Sequence, residues 1–165
     1  WVNQAVFQYN LHSGYWGWLG VICRTTLLFT GIDLIKSSWF GWTDYFNYVL
    51  YFSILIVSYF LARKYSLIDL IILTFLIFYT LTTQIAPQYS VWIIPFAALR
   101  PNRYFYAYSI IAGIQLALFY YAHYHWFFKY PMPAIYSEVF VIFRYLTWVI
   151  CAIWLFRMLK FKRTE

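Results

Sequence analysis

The sequence contains few charged residues: 10% of its 165 residues are charged, whereas 64% are hydrophobic. A soluble domain is typically about 25% charged and about 45–50% apolar. A chain of this length buries only part of its surface on folding, so a soluble core cannot hide this much apolar side chain. The shortage of charge therefore excludes an ordinary soluble domain and predicts a protein of the lipid bilayer.

Cysteine is also scarce. Cys23 and Cys151 both lie within apolar runs, without the spacing of metal ligands, which predicts buried thiols rather than a metal site. The chain begins at Trp1 and has no basic region at its start, so no signal peptide is predicted. We expect it to be the C-terminal membrane portion of a longer protein.

The few acidic residues leave a net charge of +7. In a soluble protein this excess suggests nucleic-acid binding. Here the basic residues form short clusters between apolar runs, as expected where positive charge is retained on the cytoplasmic side of a membrane. We therefore predict no nucleic-acid partner.

The hydrophobic pattern predicts an all-α fold, a polytopic transmembrane helix bundle of about five to six spans within one transmembrane helical domain, 1–165. Asp44 is predicted to cap one helix. The apolar run 89–99 is half a normal span, and the charge pattern favours a crossing that starts near Gln84 or Pro87 over a re-entrant segment. The predicted helical segments are 15–35, 44–62, 67–82, 89–99, 104–122 and 134–156.

Because successive spans joined by short turns cross the membrane in opposite directions, each group of basic residues can be assigned to one side of the membrane. Eight lie on one face, which is predicted to be cytoplasmic together with the C-terminus: Arg63, Lys64, Arg100, Arg103, Arg157, Lys160, Lys162 and Arg163. The loops 36–43, 83–88 and 123–133 then lie on the outer face. The predicted location is a multi-pass position in a plasma membrane or an endoplasmic-reticulum-type membrane.

An ionisable side chain within a membrane span costs free energy, so each one predicted there is a candidate for a functional or paired residue. Arg24 and Arg144 either bind a phosphate group, which suits arginine, or pair with Asp33 or with backbone carbonyls, or extend along the helix to the membrane surface. Asp69 is predicted to stabilise the start of its helix through the helix dipole. His123 and His125 are assigned to an interfacial loop rather than to a metal site, because no third ligand is evident.

The stretch 82–96 is unusually polar at the junction of two spans. Gln84 and Gln88 are four residues apart and share a face if this turn is helical. Pro87 ends one helix and can open the next at its first position. Such a helix start offers free N–H groups to an anion, while an ordinary hairpin between two spans is the alternative.

Part of this stretch resembles a motif of the GT-C superfamily of membrane glycosyltransferases, in particular the mannosyltransferase-like enzymes that use polyprenyl- or dolichyl-phosphate sugars. In these enzymes an aromatic residue is followed by Ser or Ala and then by Pro-Gln-Tyr. A stretch of aliphatic residues with a tryptophan comes next, and a proline ends the motif. The matching residues here are Ala86-Pro87-Gln88-Tyr89 and Val91-Trp92-Ile93-Ile94-Pro95.

The resemblance implies transfer of a sugar, with inversion, from a lipid-phosphate donor to an acceptor on the outer or lumenal face. It implies substrate-binding roles for Gln84, Gln88, Tyr89 and Arg24. It places the catalytic acidic residue outside this chain, in a preceding part or a partner subunit. It leaves the use of a divalent metal cofactor open.

Two other functions stay open. A transporter or channel module would use Arg24, Arg144 and Asp33 to line a path, although only Pro95 suggests a broken helix. A non-catalytic structural subunit would pack against a partner and would not need the polar end at 84–89.

Overall fold

In the computed structural model, residues 18, 26, 29–30, 42–83, 87–127 and 134–161 are described. This part of the chain contains five α-helices and one 3₁₀ helix, and no β-strand. The predicted all-α class is confirmed for these residues. The chain divides into two compact units, Trp1–Ala86 and Pro87–Glu165, each of which is described by itself.

The first unit contains two antiparallel helices, α1 (Trp42–Leu61) and α2 (Leu67–Leu81). The tight basic turn predicted between them is confirmed, with Lys64 N donating to Leu61 O at 2.8 Å. The helices contact each other through Tyr51 and Phe78, with ring centroids 5.5 Å apart. A hydrogen bond of 2.9 Å also joins the hydroxyls of Ser58 and Thr74.

Helix α2 begins with a well-formed cap. Ser66 Oγ accepts from Asp69 N at 3.3 Å and donates to Asp69 Oδ2 at 2.7 Å. Asp69 lies in the first turn, as its predicted interaction with the helix dipole requires. The prediction for Asp44 is wrong, because α1 already begins at Trp42 and includes Asp44 in its first turn.

The second unit starts with the 3₁₀ helix Pro87–Ile93, which continues into the short helix α3 (Ile94–Ala98). A turn leads to α4 (Arg103–Phe127), and α5 (Ala134–Phe161) follows. Asn102 caps α4: its Oδ1 accepts from the backbone N–H groups of the second and third helical residues at 2.9 and 3.0 Å.

Two of the predicted segments differ from the structure. The 3₁₀ helix and α3 together rise by at most about 22 Å, short of the about 30 Å of a bilayer core. These two helices are thus too short to cross the core by themselves. The predicted loop at 123–133 begins too early, because α4 continues to Phe127 and so includes His123 and His125.

Helix α5 contains the stretch Ile142–Lys160, with a mean hydropathy of 1.6, which is long and apolar enough to cross a membrane. Only 22% of this stretch is buried, unlike the core helix of a soluble protein. No other helix in the described ranges meets both criteria; Tyr45–Leu61 and Leu67–Leu81 are apolar but shorter. The number of membrane spans beyond this helix stays a prediction.

The two faces of α5 have opposite character. Large apolar side chains are exposed along one face: Ile142, Leu146, Val149, Ile153, Phe156 and Leu159. The other face is buried and includes two polar residues, Arg144 and Thr147, beside Cys151 and Trp154. The predicted burial of the Cys151 thiol is confirmed. An exposed apolar face opposite a buried polar face is the pattern of a helix that contacts lipid.

Several predictions concern residues outside the described part of the chain. They include Arg24, Asp33, Cys23 and Gln84. The predicted helix at 15–35 also lies outside it, except that residues 18, 26 and 29–30 are helical.

Replacement of Ser66 by alanine is expected to destabilise the protein by about 1 kcal/mol, since it removes the acceptor that caps α2. Thermal unfolding in detergent micelles measures the effect. Ser53→Ala is the matched control, because Ser53 Oγ donates only to Val49 O within α1. Equal melting temperatures for the two variants would show that the cap contributes nothing.

Candidate functional site

The polar stretch singled out in the sequence forms a 3₁₀ helix at Pro87–Ile93 rather than an α-helical turn. Residues three apart eclipse each other in a 3₁₀ helix, so its side chains form three rows. Ser90 and Ile93 form the buried row, and both are 0% exposed. This row is the face of the helix that is fully buried in the second unit.

The other two rows are accessible. Gln88 and Val91 are half-buried and share one row. Tyr89 and Trp92 share the other, with ring centroids 4.6 Å apart in an edge-to-face contact, and Trp92 is 55% exposed. An accessible amide thus lies beside an aromatic pair at the start of the helix.

Of the predicted substrate-binding residues, the structure describes Gln88 and Tyr89. Within the described part of the chain, the side chain of Gln88 forms no hydrogen bond. Its amide offers one acceptor and two donor hydrogens to a ligand. The predicted shared face of Gln84 and Gln88 stays a prediction, because Gln84 lies outside the described residues; within the 3₁₀ helix, Gln88 shares its row with Val91.

Tyr108 holds the 3₁₀ helix in place. Its hydroxyl donates to Ser90 O at 2.7 Å in a buried hydrogen bond. The Tyr108 ring also packs against Trp154 of α5, with centroids 6.2 Å apart. One side chain of α4 therefore connects the 3₁₀ helix to α5. The sequence offered no signal for this role, because Tyr108 is one of 18 tyrosines.

In the first unit, Asn47 performs a comparable role at the end of α2. Its Oδ1 accepts from Thr83 N at 3.2 Å and from Thr83 Oγ1 at 2.9 Å. Trp18 Nε1 donates to Leu81 O at 2.8 Å. These bonds satisfy backbone groups where the helix ends. A buried asparagine in an apolar helix was the available signal for Asn47, which the sequence prediction missed.

A second group of polar side chains is buried between α4 and α5. Tyr108 contacts Trp154 near the start of α4 and the end of α5, so the two helices are antiparallel. Gln115 follows Tyr108 by seven residues along α4, and Thr147 precedes Trp154 by seven residues along α5. Both are 0% exposed and lie at the same level.

Arg144 lies one turn of α5 from Thr147 and is 5% exposed. Its guanidinium carbon is 5.8 Å from the ring centroid of Tyr145. The side chain is thus enclosed by protein rather than exposed along the apolar face of α5. Among the described residues, no three His, Cys, Asp or Glu side chains group to hold a metal ion.

Replacement of Tyr108 by phenylalanine is expected to lower the free energy of unfolding by about 1 kcal/mol, since it removes one buried hydrogen bond without changing the ring. Unfolding in detergent micelles measures the change. Tyr106→Phe is the control, because Tyr106 lies on the same helix and is 57% exposed. No difference between the two variants would exclude Tyr108 as the anchor of the 3₁₀ helix.

Replacement of Gln115 by leucine is expected to raise the free energy of unfolding by about 1–3 kcal/mol. Within the described residues, neither the amide nitrogen nor the amide oxygen of Gln115 has a hydrogen-bond partner, and leucine occupies a similar volume. Ile114→Leu, at the neighbouring exposed position, is the control. A loss of stability in Gln115→Leu would reveal a polar partner such as a bound water.

Comparison of the chain with protein-family models, with curated proteins and with solved structures finds no match. The resemblance of residues 86–95 to the glycosyltransferase motif therefore stays a prediction. We therefore infer function from the geometry of the second unit and from the chemistry of its accessible side chains.

Proposed function

We propose that this chain is a membrane-embedded part of a glycosyltransferase that takes a sugar from a polyprenyl- or dolichyl-phosphate donor on the outer or lumenal face. The observation that carries the proposal is the Pro87–Ile93 helix, which holds Gln88 and Tyr89 accessible on an anchored backbone. This segment includes most of the residues that resemble the motif of such enzymes.

The proposed contacts with the donor belong to side chains rather than to the helix end. A seven-residue 3₁₀ helix has poorer hydrogen-bond geometry than an α-helix and only a short row of aligned peptides. Its N-terminus is therefore a weak anion site. The amide of Gln88 donates to a phosphate or sugar oxygen, and Tyr89 forms part of the adjoining wall.

The resemblance also assigns donor binding to Gln84 and Arg24, which lie outside the described residues, and the catalytic base to a part of the enzyme outside this chain. Arginine suits the donor phosphate because it offers two parallel N–H donors. A divalent metal is not required by any residue named here, and its use stays open.

The proposed topology is multi-pass, with the C-terminus in the cytoplasm. Its support is the charge pattern: Arg63 and Lys64 lie in the turn between α1 and α2, and further basic residues lie at the start of α4 and near the end of α5. Each group lies at the end of a helical hairpin, where a basic cluster favours the cytoplasmic face. Tyr108 holds Ser90 near the start of α4, the end that this charge pattern assigns to the cytoplasm, so the position of the Pro87–Ile93 helix does not itself support a donor on the outer face.

A transporter module is the second candidate, favoured by the buried polar residues Gln115, Thr147 and Arg144 between α4 and α5. Polar side chains that face a bundle interior often mark a path for substrate or ions. Such a path does not involve Gln88, so the two functions respond differently to substitution of this residue.

Replacement of Gln88 by alanine in the full-length protein is expected to lower the rate of sugar transfer about 10- to 100-fold, because it removes one hydrogen bond to a charged group. The assay follows consumption of a radiolabelled polyprenyl-phosphate sugar in membranes, so the acceptor need not be known. Protein level and membrane insertion are measured in parallel and are expected to stay unchanged.

Val91→Ala is the matched control, because Val91 shares the row of Gln88 and is also half-buried. It shortens a side chain on the same helix without removing a polar group. Unchanged donor consumption in Gln88→Ala would exclude Gln88 from the donor site. An equal loss in both variants would attribute the effect to disturbance of the helix rather than to the amide.

A further inference from the structure

The start of α4 and the end of α5 lie side by side in the second unit. Tyr108 and Trp154 are in ring contact, and the two helices are antiparallel. Arg103 lies five residues before Tyr108, at the first position of α4. Arg157 and Lys160 lie three and six residues after Trp154, in the last turns of α5.

These basic side chains lie at similar depth along the hairpin. At about 1.5 Å of rise per residue, Arg103, Arg157 and Lys160 extend beyond the Tyr108–Trp154 contact by between about 4 and 9 Å. Arg100 lies in the turn that leads into α4. All four are exposed. We call these four residues, Arg100, Arg103, Arg157 and Lys160, the basic end.

Among the described residues of the second unit, no carboxylate lies close to this charge. In the described part of that unit, Glu138 is the one acidic residue, and it lies near the opposite end of α5. It precedes Arg157 by 19 residues, or about 28 Å of helix. That separation exceeds the Debye length of about 8 Å at physiological ionic strength, so Glu138 does not neutralise the basic end.

Apolar side chains adjoin the basic end. Tyr106, Phe156 and Leu159 are 57%, 62% and 44% exposed, and Leu99 is 64% exposed. Arg103 lies over the ring of Tyr104, 4.9 Å from its centroid, and donates from Nη2 to its hydroxyl at 2.9 Å. The surface thus combines positive charge with adjacent apolar side chains, the two features that an anionic phospholipid matches with its phosphate and its acyl chains.

We propose that the basic end binds the phosphate headgroups of anionic phospholipids in the leaflet that it faces. The exposed apolar residues contact the upper part of the acyl chains. The proposal depends on the membrane location of α5 and not on transferase activity. A failure of the Gln88 experiment would therefore leave it unchanged.

The experiment measures retention of phosphatidylglycerol against phosphatidylcholine by the detergent-solubilised full-length protein, using native mass spectrometry and lipid titration. The double variant Arg103→Gln/Arg157→Gln is expected to bind phosphatidylglycerol about 25-fold more weakly. Each basic residue near an anionic surface raises the affinity about fivefold, and the variant removes two. Its affinity for phosphatidylcholine is expected to stay the same.

Arg63→Gln/Lys64→Gln is the matched control, because it removes an equal charge from the turn in the first unit. It is expected to retain most of the binding, whereas an equal loss in both double variants would overturn assignment of the site to the basic end. Equal retention of the two lipids by the unmodified protein would also overturn the proposal. Displacement of the lipid by soluble glycerol phosphate at similar concentration would indicate a free-phosphate site instead.

Arg103→Lys/Arg157→Lys keeps the charge and is expected to keep the preference for phosphatidylglycerol. The unmodified protein provides a further measurement that is independent of how the variants fold. Its binding of phosphatidylglycerol is expected to weaken as salt is added, because salt screens exposed charges. Binding that is insensitive to salt would contradict the electrostatic basis of the site.

Discussion

The burial of polar side chains between α4 and α5 is the constraint on which the second unit depends. Gln115 and Thr147 are fully buried, and Arg144 is nearly so, while the opposite face of α5 exposes large apolar residues. In water this arrangement would be unfavourable on both counts, because exposed apolar surface and buried polar groups each cost free energy. In lipid, the apolar face is solvated by acyl chains, and polar groups are placed in the bundle interior.

The same hairpin determines the position of the candidate site. Tyr108 belongs to the buried face of α4 and reaches both Trp154 and the carbonyl of Ser90. Its position thus depends on how α4 packs against α5, and the 3₁₀ helix depends on its position. Packing in the hairpin interior is in this way linked to the orientation of Gln88. Loss of packing at this contact would displace the site without changing any residue that a ligand touches.

The apolar runs and the polar turns between them were sufficient to predict α1, α2, α4 and α5, because long runs of apolar residues have few alternatives to a helix. Their ends were less predictable: α4 continues through His123 and His125 because polar residues remain compatible with a helix. The 3₁₀ form of Pro87–Ile93 was not predicted, and its buried contact with Tyr108 joins residues 18 positions apart in the sequence. Asn47 was missed for the same reason, because its partner Thr83 is 36 residues away.

The hydrogen bond from Tyr108 to Ser90 O fixes the backbone of the Pro87–Ile93 helix within the second unit. A side chain of α4 thereby satisfies a backbone carbonyl of the 3₁₀ helix. The amide of Gln88 takes no part in this bond, so it can be exchanged without loss of the anchor. Because the backbone is already ordered, a ligand that contacted Gln88 would restrict the freedom of its side chain and not that of the segment.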